Sequence, residues 1–113
     1  MRARVSLSLA ICLLLASTVG NAGSVTGTVS EVIARASDGL TYVYMNGTSS
    51  GRPACAANTS YWMIMSESSD VGKKQYAMLL AAKAGGIQLT IQGNNTCSRW
   101  ADGEDISYII FGP

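Results

Sequence analysis

Three strand-like runs, one amphipathic helix closed by two glycines, and two further strand-like runs follow one another along this chain. That order predicts a mainly β domain with one helix, a five-stranded barrel of the oligonucleotide/oligosaccharide-binding (OB) type in the order β-β-β-α-β-β. Two cysteines in the loops between these runs predict one disulfide across it.

The first 22 residues, MRARVSLSLAICLLLASTVGNA, stand apart from that pattern. Two arginines, an apolar run from Val5 to Ala16 and the small-residue ending Gly20-Asn21-Ala22 have the layout of a secretory signal peptide, and the apolar core is too short to span a bilayer comfortably. The mature domain is expected to cover residues 23–113, starting at Gly23, in a secreted or periplasmic location with no membrane span after cleavage. Cys12 follows the bulky Ile11, which argues against a lipid anchor at that cysteine.

Removing the leader leaves Cys55 and Cys97 in a chain bound for an oxidising compartment, where they are expected to pair. The bond would close a loop of 42 residues, for which chain entropy gives about 4 kcal/mol of stabilisation. Roughly 60 to 70% of the unfolded surface is buried by a domain of this size, so such a staple matters.

Val25 to Ala36 is rich in β-branched residues, but its alternation slips at Val32. A long first strand with a bulge near Glu31 and Val32 absorbs the slip. Ser37-Asp38-Gly39 is a turn, and Leu40 to Asn46 is the second strand, with Leu40, Tyr42 and Tyr44 on one face and Thr41, Val43 and Met45 on the other. These tyrosines read as barrel or interface residues. Asn46 to Ser60 is a long polar loop containing Cys55. Tyr61 to Met65, YWMIM, reads as a buried third strand.

The helix is expected over Asp70 to Gly86, with Ser69 or Asp70 as its N-cap and Gly85-Gly86 as its left-handed stop. Its apolar stripe reads as Tyr76, Leu79 and Leu80 with Ala77 and Ala84, leaving Lys73, Lys74 and Gln75 outside. Ile87, Leu89 and Ile91 then alternate with Gln88, Thr90 and Gln92 in a fourth strand. Gly93 to Glu104 is a second polar loop, holding Cys97, and Asp105 to Phe111 is the closing strand.

Chemistry-bearing residues are sparse. The chain has no histidine, which removes His-dependent triads and His metal sites. No nucleophile and base stand out, so an enzyme is not expected, and nothing calls for a cofactor. Asp102, Glu104 and Asp105 around Gly103 offer either oxygen ligands for calcium or a solvated turn, and the EF-hand spacing is absent. Residues 23–113 carry six Lys and Arg against seven Asp and Glu, so the positive stripe of a nucleic-acid binder is missing. Asn46, Asn58 and Asn94 head glycosylation sequons that matter only on a eukaryotic secretory route.

The richest combination is Trp100 beside Arg99 and near Asn94 and Asn95. An indole plate with amide and guanidinium hydrogen-bonders suits a sugar, whose CH face stacks while its hydroxyls need directed partners. The alternative is that Trp100 folds back over the disulfide as a plug.

NGTSSGRPACA, YWMIM, a helix ending in AGG and IQLTIQ together resemble the OB-fold binding subunits of the subtilase-cytotoxin and pertussis-like AB5 toxins. The pattern C-x-x-W-x-D-G-E-x-I-x-Y-I, here Cys97 to Ile109, is similar to that of small secreted proteobacterial proteins over nearly the whole mature chain. The toxin resemblance implies a homopentamer that binds host glycans. Part of those subunits' sugar site lies ahead of the first long strand, a segment the chain from Gly23 onward lacks, so the resemblance carries fold and assembly only. Two functions follow as expectations: a carbohydrate-binding, B-subunit-like homo-oligomer, or a monomeric periplasmic barrel that binds another protein as an inhibitor or envelope-stress component.

Overall fold

The computed structural model describes residues 22–112; the expected leader, apart from Ala22, lies outside them. Six strands and one helix run in the order β1 (Ser24–Gly27), β2 (Val29–Ala34), β3 (Thr41–Met45), β4 (Tyr61–Met63), α1 (Asp70–Gly85), β5 (Leu89–Gly93) and β6 (Glu104–Phe111). All six strands belong to one sheet, ordered β1-β5-β6-β4-β3-β2. Neighbours run antiparallel except β4 and β6, where Trp62 lies opposite Glu104 and Met63 opposite Asp105 in parallel register.

The closed five-stranded barrel expected from the sequence is corrected here to an open six-stranded sheet. Its first strand is broken at Thr28, so that β1 pairs with β5 while β2 pairs with β3 at the far edge. The two edge strands are thus consecutive in the chain, and the sheet must roll for one residue to join them. Along the seam only isolated bonds form. Ser24 and Ser50 exchange amide-to-carbonyl bonds of 2.9 and 3.0 Å, and the Asn46 amide donates to the Thr28 carbonyl at 2.8 Å. The expected bulge is present one residue early, where Ser30 is skipped between the Val29–Met45 and Glu31–Tyr44 pairs.

Valines, isoleucines and leucines that alternate inward form the core with Trp62, Leu79 and Ala82. Burying such side chains is worth about 1.5 to 3 kcal/mol each. The helix begins at Ser69, whose hydroxyl accepts from the Gly72 amide at 3.0 Å, and ends at Gly86 with φ 62°. Its buried face is Gly72, Gln75, Leu79 and Ala82. The expected stripe is therefore rotated: Leu79 faces in, whereas Tyr76, Ala77, Leu80 and Ala84 are exposed. Gln75 is admitted because its amide donates to the Ser107 carbonyl at 3.3 Å, which satisfies a polar group the periodicity counted as a surface one. In β5, Leu89 and Ile91 are buried as the alternation requires, while Ile87 lies before the strand and is exposed.

Cys55 and Cys97 form the expected disulfide. It ties the loop between β3 and β4 to the loop between β5 and β6. Among the described residues no helix is long and apolar enough to cross a membrane.

Candidate functional site

The outer face of β3 and β4 is aromatic. Val43 and Trp62 pair across the two strands on the inner face, so Tyr42, Tyr44 and Tyr61 are directed to the opposite side. Their rings meet edge to face or tilted, with centroids 5.6 to 6.2 Å apart. Such contacts are worth about 0.5 to 1.5 kcal/mol each beyond area burial.

Trp100 arrives over this face from the loop after β5. Together with Arg35, Leu40 and the three tyrosines it lines a concavity of about 200 Å³. The indole is 39% exposed, and the Arg35 guanidinium carbon lies 4.7 Å from its ring centroid. Arg35 is in turn held by Asp38, through bonds of 3.1 and 2.5 Å. That hydrogen bond from Arg35, with help from the Leu40 amide, holds the Asp38 carboxyl down at about 2. The site's rim therefore carries a fixed guanidinium and carboxylate beside its aromatic floor.

Trp100 is presented by a braced turn. Trp100 and Gly103 bridge each other, the Asp102 carboxylate accepts from the Tyr61 hydroxyl, and the Asp102 carbonyl accepts from the Thr59 hydroxyl at 2.5 Å. Burial and then the Asp102 bond push the Tyr61 phenol up to about 12. Arg99, the neighbouring residue, forms an ion pair with Glu67 at 3.0 Å and donates to the Asp38 carbonyl at 3.0 Å. It positions the turn and does not line the concavity.

Beneath the loop, Asp105 is fully buried and accepts from the Thr96 hydroxyl, the Ser98 amide and hydroxyl, and the Arg99 amide, at 2.5 to 3.2 Å. Burial alone would raise its pKa. Four donors together lower it below the usual carboxylate value.

Of the four sugar-site residues expected from sequence, the structure brings only Trp100 to the concavity. Asn94 donates from its side chain to Thr96, and from its amide to the Asp105 carbonyl. Asn95 sits at φ 61° with its amide on Glu104. Both asparagines shape the loop's entry. Trp100 has Arg35 over its ring and shares the concavity with the three tyrosines.

Tyr61 and Arg35 were missed by sequence reasoning. The available signal was parity: Tyr42 and Tyr44 share a face, and Tyr61 pairs opposite Tyr44 once β3 and β4 are set antiparallel. Nothing in the sequence placed Arg35 by Trp100, 65 positions away.

The acidic group disperses. Asp102 serves Tyr61, while Glu104 and Asp105 are fully buried, so the solvated-turn reading is corrected for these two. Neither forms a ligand cluster, and no group of three metal-ligating side chains exists among the described residues. A larger concavity of about 450 Å³ lies between the 47–49 and 57–60 segments, but small and polar residues line it, with Met45 and Arg52. It offers no aromatic plate.

Comparison with protein-family models, with curated proteins and with solved structures found no match for this chain.

Proposed function

We propose that this is an exported, non-enzymatic carbohydrate-binding protein, which takes a sugar ring on the Tyr42, Tyr44, Tyr61 and Trp100 face. The supporting observation is the concavity itself. It has aromatic plates that are apolar in their faces, hydroxyls at their tips and a guanidinium and carboxylate at the rim. A pyranose has the same division, with CH groups on its faces and hydroxyls at its edge. At about 200 Å³ the site suits one terminal ring. Bracing of the Trp100 turn supports the reading too, because a fixed plate loses little freedom on binding.

The rolled sheet, with its helix between β4 and β5, is consistent with a partly open OB-type architecture, in which the loop between the last two strands and the adjoining strand face form the binding surface. Weak single-site affinity would be multiplied in a ring of copies. Exposed Tyr108 and Ile110, on the outer face of β6 and 51% and 47% exposed, favour an apolar contact there, between copies or with a different protein. The first arrangement would be the B-subunit-like assembly; the second is the alternative of a periplasmic protein that binds another protein.

Glycan-array binding by the exported protein is the test. Wild type should bind a restricted set of glycans, and Trp100→Ala should lose up to about tenfold in affinity, the scale of one stacked aromatic contact. Absence of wild-type binding, or an unchanged Trp100→Ala profile, would sink the sugar reading.

A further inference from the structure

The interior of the sheet's seam holds an unusual set of charges. Glu104 is 0% exposed. Its Oε2 accepts from the Gly23 amide and from the Asn95 amide, both at 3.0 Å, whereas its Oε1 has no hydrogen-bond donor among the described residues. Among the described residues the cation that faces it is Arg52, whose Nε stands 3.8 Å away and has no hydrogen-bond partner there. That guanidinium is spent elsewhere: its terminal nitrogens donate to the Thr59 and Tyr61 carbonyls at 2.5 Å, and it stacks on Trp62 at 4.5 Å. Asp105, next in the chain and equally buried, is satisfied by neutral donors alone. Glu104 thus faces one guanidinium that makes no hydrogen bond to it, and an under-compensated buried charge is costly.

The residue against Glu104 is Gly23, at the expected cleavage point. Its backbone is buried, and its carbonyl accepts from Gly93 at 2.7 Å, which seats it at the start of β1. A side chain there would collide with the Glu104 carboxylate and with Arg52. Only glycine lets the main-chain nitrogen approach this closely.

We propose that the Ala22–Gly23 bond is a maturation site and that the α-ammonium created at Gly23 is the second cation of this cluster, an ion pair with Glu104 that locks the processed fold. In the step, water adds across the peptide bond in a leader-removing peptidase. The C–N bond breaks, the water oxygen stays on the Ala22 carboxylate, and the Gly23 nitrogen leaves as –NH₃⁺. Processing happens on the unfolded exported chain, so burial of the bond in the folded domain is no obstacle. Folding then buries the new terminus. The ammonium keeps the donor that the peptide N–H supplied to Oε2 and adds others for Oε1, and a charge-assisted bond is roughly twice as strong as the neutral one it replaces. Neither the sugar site nor its occupant enters this argument.

The test uses the protein exported from the full-length chain in a bacterial host. Its first residue should be Gly23. Reductive dimethylation followed by mass spectrometry should then find the Gly23 amine protected at least about tenfold relative to the urea-unfolded protein, while the exposed Lys73, Lys74 and Lys83 react freely in both. In Glu104→Gln the protection should fall towards the unfolded rate. A different first residue, equal native and unfolded rates at Gly23, or undiminished protection in folded Glu104→Gln would overturn the proposal. Should Glu104→Gln not fold, the first two readouts decide.

Discussion

Asp105 is the residue on which the candidate site's geometry turns. Its Oδ2 accepts three donors and its Oδ1 one, so an asparagine of the same shape must set an NH₂ against at least one N–H or O–H. Asp105→Asn should cost about 1.5 to 3 kcal/mol in urea unfolding, the range for hydrogen bonds to a charged group, and should loosen the turn that carries Trp100. The pH dependence follows from the same group. Asp105 and Asp38 both have folded pKa values below their unfolded ones, so their stabilisation is present above about pH 4. For Asp38 it is lost as acid is added down towards pH 2, and for Asp105 as the pH falls below the free carboxylate's value. Asp105→Asn should flatten that acid limb. Tyr61 works in the opposite direction. Its folded pKa of about 12 lies above the free phenol's, so its contribution is whole below about pH 10 and is lost as pH rises through 12. An absorbance titration should contain one tyrosine ionising near pH 12, missing in Tyr61→Phe.

At the scale of elements, α1 separates intrinsic preference from packing. Helix propensity favours alanine over glycine by about 1 kcal/mol in a helix interior. At Gly72 the added methyl would run into the Ser66 backbone carbonyl, which cannot swing aside as a side chain would. Gly72→Ala should therefore destabilise the protein despite the gain in propensity, whereas Ser69→Ala should cost about 1 kcal/mol through the lost cap. Thermal unfolding of the two variants checks both. The turn that holds Trp100 is an element in the same sense, since Arg99, Asp102 and Asp105 anchor it to Glu67, Tyr61 and the 96–98 segment.

For the whole molecule, the disulfide joins the two long loops that flank the aromatic face, and it spans 42 residues. Cys97→Ser should lower stability by about 2 to 5 kcal/mol. An unchanged melting temperature against oxidised wild type would show that the tie is dispensable. Mass in solution is the second whole-molecule measurement. A discrete ring would favour multivalent glycan binding, with β6 as a contact surface, and Tyr108→Glu should then dissociate it. A monomer would turn attention to a separate protein partner for the same exposed residues.

The sequence by itself determined the mainly β character, the helix with its glycine stop and an N-cap at Ser69 or Asp70, the inward Leu89 and Ile91, and the pairing of Cys55 with Cys97. These follow from period, capping chemistry and cysteine count, all of which are local or countable. Only the tertiary structure decided the break at Thr28, because whether one long strand pairs at one edge or two depends on neighbours distant in the chain. It also decided the rotated helix face, since Gln75 is buried only because the Ser107 carbonyl awaits it. Trp100 was legible as a candidate, but its partners were not: parity gives each tyrosine a face, and only folding sets Arg35, Tyr61 and Trp100 around one concavity. The buried Glu104 was hidden for the same reason. A carboxylate in a polar loop reads as solvated until the chain brings Gly23, Asn95 and Arg52 around it.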